Sequence, residues 1–199
     1  ISHHPVIFHP LKRLTGTTYV QRVVERAIRA GIALYACHTN LDAVQGGLSY
    51  KLAEQLGIGE LKLLSPSRPE DPTVGFGVIG KVAEPVRTED FMRRMMDRLD
   101  LSVVRHSDIC KPTVETVALC TGSGASLIDT AAEAGADLYI AADFKYNDFL
   151  DADSRLIVAD IGHFESEYCA IDLLYDIITK KIPTFALRKS GNSRNPVNY

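Results

Sequence analysis

Apolar runs of four to six residues recur along this chain, and most are followed by a stretch whose apolar residues fall three or four apart. Runs of the first kind are the signature of buried strands and stretches of the second kind that of amphipathic helices. Strands alternating with helices predict α/β layers built on mainly parallel sheets. Ile32 to Cys37 reads as a buried strand, Leu61 to Leu64, Val117 to Cys120, Leu138 to Ala142 and Leu156 to Ala159 as further strands, and Thr184 to Leu187 as the last. Val103 to Arg105 is a short strand, and Val74 to Glu84 a strand or ribbon interrupted by glycines. Helical spacing marks Val23 to Ala30, Gly47 to Leu56, Thr88 to Leu99, Ser126 to Ala134, Tyr146 to Leu150 and the stretch reaching Lys180 and Lys181. The Thr88 helix opens with Glu89 and Asp90, acids at the positive end of the helix dipole. Ser65 to Pro72 carries three prolines, which remove donors and fix φ, and it reads as a loop. The polar tail after Lys189 reads as mobile.

Length and charge narrow the function classes. At 199 residues, 46% hydrophobic and 24% charged, the chain has enough apolar material for a sizeable core in one domain or two small ones. A formal net charge of −3 gives no electrostatic reason to expect nucleic acid or an anionic membrane as the main partner. No apolar run approaches bilayer-spanning length, so a cytoplasmic protein without a membrane partner is expected. Cys37, Cys110, Cys120 and Cys169 show no CxxC spacing and read as free thiols, Cys37 standing beside a histidine loop.

The chemistry-bearing residues gather just past the apolar runs: His3-His4-Pro5, His38-Thr39-Asn40-Leu41-Asp42, and Gly162-His163 through Glu167. In open α/β folds, ligand sites lie at the carboxyl ends of the strands. Adjacent residues of an extended chain project to opposite sides, so His3 and His4 suit two ions better than one. Pro5 holds His4 out of the helical region. A turn would use the same three residues. His163 and Glu167, four apart, share one helix face, whereas Glu165 points elsewhere. A solvated helix glutamate is the bland alternative for Glu167, and an N-cap before the Gly46-Gly47 helix that for Asp42. Imidazole and carboxylate ligands without thiolate fit zinc, iron, manganese or nickel alike. Paired ions of this kind activate water and clamp a developing oxyanion, which is the logic of a hydrolase. Thr121 to Ser126 is a glycine loop that would cradle a phosphate, or simply turn a strand into a helix. Asp143 and Lys145 also lie past a strand end, Lys145 facing a phosphate or lying along the surface. His9 and His106 read as structural.

These motifs, together with Gly122-Ser123-Gly124 and Ala142-Asp143-Phe144-Lys145, resemble the GTP cyclohydrolase I type 2 homologues, also called the Nif-three-like family of dinuclear-metal proteins. The matching stretches span nearly the whole chain in the family's order. The resemblance implies two intertwined α/β/α layers in a single domain over residues 1–199. It further implies a ring-shaped homohexamer with metal sites facing the inner cavity. By resemblance, His4 and Asp42 hold one divalent ion, His3 and His163 the other, and Glu167 touches both. His38 lines the site, and His38 and Glu167 are the candidates for a catalytic role. Relatives carry a strand and helix before the His-His-Pro motif, so the domain is expected to be N-terminally incomplete. Tyr146-Asn147 stands where the family often has two histidines, a difference that bears on substrate rather than on ligands. The function expected is metal-dependent hydrolysis of a small nucleotide-like substrate; the alternative is a non-catalytic metal-binding ring that engages other proteins.

Overall fold

The computed structural model describes residues 1–68 and 70–198. The chain separates into two compact units, Ile1–Leu41 and Asp42–Tyr199.

In the first unit the one long helix is α1 (Tyr19–Arg29). Thr18 caps it by accepting from the Gln21 N–H, and the side-chain Oε1 of Gln21 in turn accepts from the backbone and hydroxyl groups of Thr15 and Thr17. That one buried amide therefore fixes the loop that leads into the helix. Gly31, at φ +63°, closes α1 as expected, and the Ile32 N–H reaches back to the Ala27 carbonyl. The stretch from Ile32 to Cys37 is not the buried strand expected. Ala36 makes a single parallel bridge to Ser2, and Ile32, Leu34 and Tyr35 are 58%, 51% and 61% exposed. Apolar run length identified an extended segment, but burial requires a covering layer, and within this unit the only extended neighbour is the short Ser2 segment.

In the second unit six strands form one sheet, in the order β1-β2-β4-β5-β6-β3. They are β1 (Ile58–Arg68), β2 (Asp71–Arg87), β3 (Arg105–His106), β4 (Thr113–Ser123), β5 (Leu138–Ala142) and β6 (Ile157–Asp160). The α/β class is as expected, whereas the sheet is mixed rather than mainly parallel. Only β4-β5 and β5-β6 are parallel pairs, and β1-β2, β2-β4 and β3-β6 are antiparallel. The reason lies in the connections: β1 and β2 are joined directly as a hairpin, and a hairpin is necessarily antiparallel. The parallel strands β5 and β6 are buried at every residue, which is why they read as unbroken apolar runs.

The segment from Ser65 to Pro72 corrects the loop expected there, because β1 continues through Pro66 to Arg68 and β2 begins at Asp71; Pro69 lies outside the described residues. Pro66 is tolerated because β1 is an edge strand whose register shifts between Pro66 and Arg68, and Pro72 precedes the part of β2 that pairs with β4. Thr184 to Leu187 is not a strand either. Pro183 offers no donor, and the Phe185 N–H turns back to the Ile182 carbonyl. The short strand expected at Val103 to Arg105 is found two residues later, as β3.

Around the sheet lie α3 (Leu48–Leu56), α4 (Thr88–Leu99), α5 (Ile128–Glu133), α6 (Tyr146–Asp151), α7 (His163–Glu167) and α8 (Ala170–Lys181), while α2 (Thr39–Asp42) ends on the first residue of this unit. Tyr139, Phe144, Ile128, Ala131, Leu156 and Val158 belong to one buried cluster beneath α5 and the α6 turn. The polar tail is held at two points, by Lys189 on Asp172 at 2.6 Å and by the Asn195 amide donating to Glu165 at 2.7 Å. Among the described residues no helix is long and apolar enough to cross a membrane.

Candidate metal centre

The first unit gathers three imidazoles. Ring centroids of His3 and His4 lie 4.9 Å apart, and the His38 ring is 5.7 Å from the first and 5.6 Å from the second. The backbone explains the grouping, since the His38 N–H donates to the His3 carbonyl at 2.9 Å. His38 itself sits at φ +37° and ends the extended segment there. The expectation that His3 and His4 project to opposite sides is not met. The strand-like pairing stops at Ser2, and the chain bends at the two histidines, so extended-chain alternation no longer governs them. The Ser2 hydroxyl donates to the His4 carbonyl at 2.7 Å within that bend. Phe8 packs edge-on against His38, with centroids 6.0 Å apart.

The second unit gathers the carboxylates and His163. After β6 the chain turns at Gly162, at φ +88°, directly into the five residues of α7. One helical turn then brings Glu167 back over His163, with its carboxylate 3.2 Å from Nε2. The other ring nitrogen, Nδ1, meets the Asp143 carboxylate at 2.7 Å. Glu167's side chain is only 10% exposed, so it is not the solvated helix glutamate. Hydrogen bonding to Glu167, and secondarily to Asp143, outweighs burial and raises the His163 pKa to about 9.

Asp42 does not cap α3. The N-cap position is Gly47, with no side-chain bond, which removes the alternative reading of this aspartate. Its carboxylate is instead felt at Cys120: the thiol is pushed up to about 12 by burial first, then by Asp42, then by Glu167. Asp42 and Glu167, 125 positions apart in the chain, thus act on the same sulfur at the end of β4.

Gly122 shows that this neighbourhood is shaped around Glu167. At φ +66° it occupies the left-handed region, and a Cβ built there would stand 2.3 Å from Glu167 Oε1 and 3.4 Å from the His163 ring. The carboxylate fills the space a side chain would take. A donor set of imidazole and carboxylate, with one carboxylate seated against bare backbone, fits a divalent cation of the borderline class.

The glycine loop is otherwise committed internally. The Gly122 N–H donates to Ser166 Oγ at 2.9 Å, the Gly124 N–H to the Ala142 carbonyl, and the Gly124 carbonyl accepts from the Tyr139 hydroxyl. The strand-to-helix turn is the reading this geometry supports, and a phosphate cradle is not. Lys145 is the N-cap of α6, its N–H donating to the Asp148 carboxylate. His106 is engaged with the Ser107 carbonyl and His9 packs against Phe8.

Three residues that position the site carry weaker signals in the sequence. Asp143 stands past a strand end and is visible as a candidate, but not as the partner of His163. Asp160 looks like the last residue of an apolar run; it is 5% exposed and accepts from the N–H groups of both Phe144 and Gly162. Ser166, fully buried, links the Gly122 N–H to the His163 carbonyl.

Comparison with known proteins converges on one family. The family model described as Duf34/NIF3 (NGG1p interacting factor 3) matches residues 1–196. A Lactococcus lactis protein named GTP cyclohydrolase 1 type 2 homolog is 34% identical over 203 residues, covering 98% of this chain and 75% of the relative. A Nostoc protein of the same name is 32% identical and covers 88% of this chain and 66% of its own length. The chain thus spans about two thirds of the length of such relatives. The crystal structure of a Bacillus cereus protein related to NIF3 superposes with a TM-score of 0.88 at 20% identity, over 99% of this chain and 82% of that one, and it speaks to the fold. With a family model covering nearly every residue and relatives above 30% identity, the chain belongs to the DUF34/NIF3 family.

Proposed function

We propose that this is a dinuclear metal-binding protein in which His3, His4, Asp42, His163 and Glu167 hold two divalent ions, zinc, iron, manganese or nickel, in service of hydrolysis of a nucleotide-like substrate. The observation that carries the metal reading is the Glu167 carboxylate, nine-tenths buried, one turn from His163 and seated against Gly122. His163 brings one positive charge to that carboxylate, and with the Asp42 carboxylate acting on the same buried thiol a cation would complete the balance that burying two carboxylates requires. In the assignment proposed, His4 and Asp42 serve one ion, His3 and His163 the other, and Glu167 both.

The chemistry such ions supply is Lewis-acid activation of water and of a substrate oxygen. The chain's own residues do the rest. His38, packed on the His3 and His4 rings, moves a proton at an imidazole nitrogen. Glu167 holds its carboxylate in the space left by Gly122, and Asp143 orients His163. The name GTP cyclohydrolase 1 type 2 homolog, borne by the relatives, points to ring-opening hydrolysis of a purine nucleotide as the first substrate class to test.

Assembly into a homohexameric ring in the cytoplasm completes the proposal. It is supported by the apolar side chains of Ile28, Ile32, Leu34 and Tyr35, exposed over half their surface. Sedimentation should give a particle six times the 21.9 kDa of one chain. A second reading, a non-catalytic metal-binding scaffold that engages other proteins, is favoured by the family's description as an interacting factor.

Metal content and turnover decide between the two. The full chain should co-purify with divalent metal, Glu167→Ala should lose metal and hydrolysis together, and hydrolysis by metal-free protein would overturn the catalytic reading. Metal retention with no turnover against a nucleotide panel would select the scaffold.

A further inference from the structure

We infer that Asp143 and Asp160 are positioning residues: Asp143 selects the tautomer of His163 that leaves Nε2 on the Glu167 side as the ligating nitrogen, and Asp160 locks the two turns that carry Asp143 and His163. The inference rests on the metal reading for its consequence and on the geometry of the second unit for its substance.

The geometry gives each end of the imidazole a different carboxylate, Asp143 on Nδ1 at 2.7 Å and Glu167 on Nε2 at 3.2 Å. A neutral imidazole holds one proton, and the shorter contact to a carboxylate keeps it on Nδ1. Ligating histidines generally donate their distal N–H to a carboxylate or carbonyl in this way, which fixes the ring and raises its basicity.

Asp143 is built for that reach. It stands immediately past β5 at φ +61°, a left-handed conformation that costs energy for a residue with a Cβ but is commonest for Asp and Asn. The turn redirects the chain so that the aspartate of one strand end faces the histidine of the next. Asp160 supplies the restraint that holds it there. One of its oxygens accepts from the Phe144 N–H at 3.1 Å and from Arg105, and the other accepts from the Gly162 N–H at 3.0 Å. A single buried carboxylate thus ties the residue after Asp143 to the residue before His163. Phe144 seals the turn by packing on Tyr139 and Phe149, with ring centroids 6.0 and 5.8 Å away.

The test uses the full chain with two readouts. In metal-free protein titrated until the ring is neutral, nitrogen-15 shifts of the His163 ring should show the proton on Nδ1, the end held at 2.7 Å by Asp143, in the wild type and a shift toward Nε2 in Asp143→Ala. A wild-type ring carrying its proton on Nε2 overturns the inference whether or not metal binds, so its failure is distinct from failure of the metal reading. Zinc affinity measured against a competing chelator should fall about 10- to 100-fold in Asp143→Ala. Asp143→Asn, whose amide oxygen still accepts from Nδ1, should keep most of it. In Asp160→Asn, folded by far-ultraviolet circular dichroism, the Nδ1 preference and zinc affinity should both weaken. Asp143→Ala binding zinc as tightly as wild type, or Asp160→Asn leaving both readouts unchanged, overturns the corresponding role.

Discussion

Gly122 and Glu167 occupy complementary space: a Cβ on the glycine would stand 2.3 Å from Oε1 of the glutamate. The two residues come from different elements, one closing β4 and the other ending α7, so the carboxylate's seat is made by backbone that carries no side chain. This arrangement separates the consequences of a substitution there into a stability part and a site part.

Gly122→Ala should therefore fold with a modest penalty and lose the site. The penalty comes from holding a residue with a Cβ at φ +66°, about 1–2 kcal/mol. The steric clash itself adds little, because Glu167 Oε1 is the far end of a flexible side chain that can swing away. That swing is what removes the carboxylate from its place. Denaturant unfolding should show a lowered midpoint with unchanged slope, and metal titration should show affinity falling toward that of Glu167→Ala. Unchanged metal binding would mean that Glu167 does not need the seat that Gly122 leaves.

How much of this was legible in the sequence depends on whether an element's fate is decided locally. The Thr88–Leu99 helix carries its own acids, periodicity and terminus, and its limits are those the sequence predicts. The His163–Glu167 pairing needs only four-residue spacing on one helical turn, so it too was readable. Pro66 and Pro72 do not mark a loop, because prolines exclude central paired positions but not an edge strand or a strand end, and which strand is an edge is a property of the whole sheet. Ile32 to Cys37 is apolar but not buried, because apolar character reports what a segment prefers, not which neighbour covers it. Asp160 was hidden for a related reason. It sits where an apolar run should end, and its importance lies in two backbone N–H groups 16 and 2 residues away.

Ser166 offers a test of the link between the glycine loop and α7. Its hydroxyl, fully buried, accepts from the Gly122 N–H at 2.9 Å and donates to the His163 carbonyl at 2.8 Å. Ser166→Ala removes both partners and leaves the buried Gly122 N–H without an acceptor, at a cost of about 1–3 kcal/mol. Amide exchange at Gly122 should accelerate and the unfolding midpoint should fall. Exchange at Gly122 no faster than in wild type would show that the hydroxyl does not hold the loop.

The alkaline limb of stability should belong to the buried thiols of Cys120 and Cys169, both pushed up to about 12 chiefly by burial. Burial, with Asp42 and then Glu167 adding to it, raises the Cys120 thiol from 9.0 to about 12, and Tyr139, which shares this part of the core, is raised well above its usual 10 by its own burial. A group whose folded value lies above its unfolded one contributes stability that is fully present below the unfolded value and lost as pH rises through the folded one. The folded protein should therefore hold its stability up to about pH 9 and lose it progressively between 9 and 12 as the unfolded chain sheds the thiol protons. Cys120→Ser offers no group that titrates in this window, so its unfolding midpoint, whatever its value at neutral pH, should fall less steeply across it. The same burial keeps the thiolate fraction negligible at neutral pH, so Cys120 should resist a thiol-specific reagent until the protein is denatured, while the half-buried Cys110 reacts sooner. Labelling of Cys120 at the rate of Cys110 in the native protein would mean that the thiol is open to solvent and that burial does not hold its pKa up.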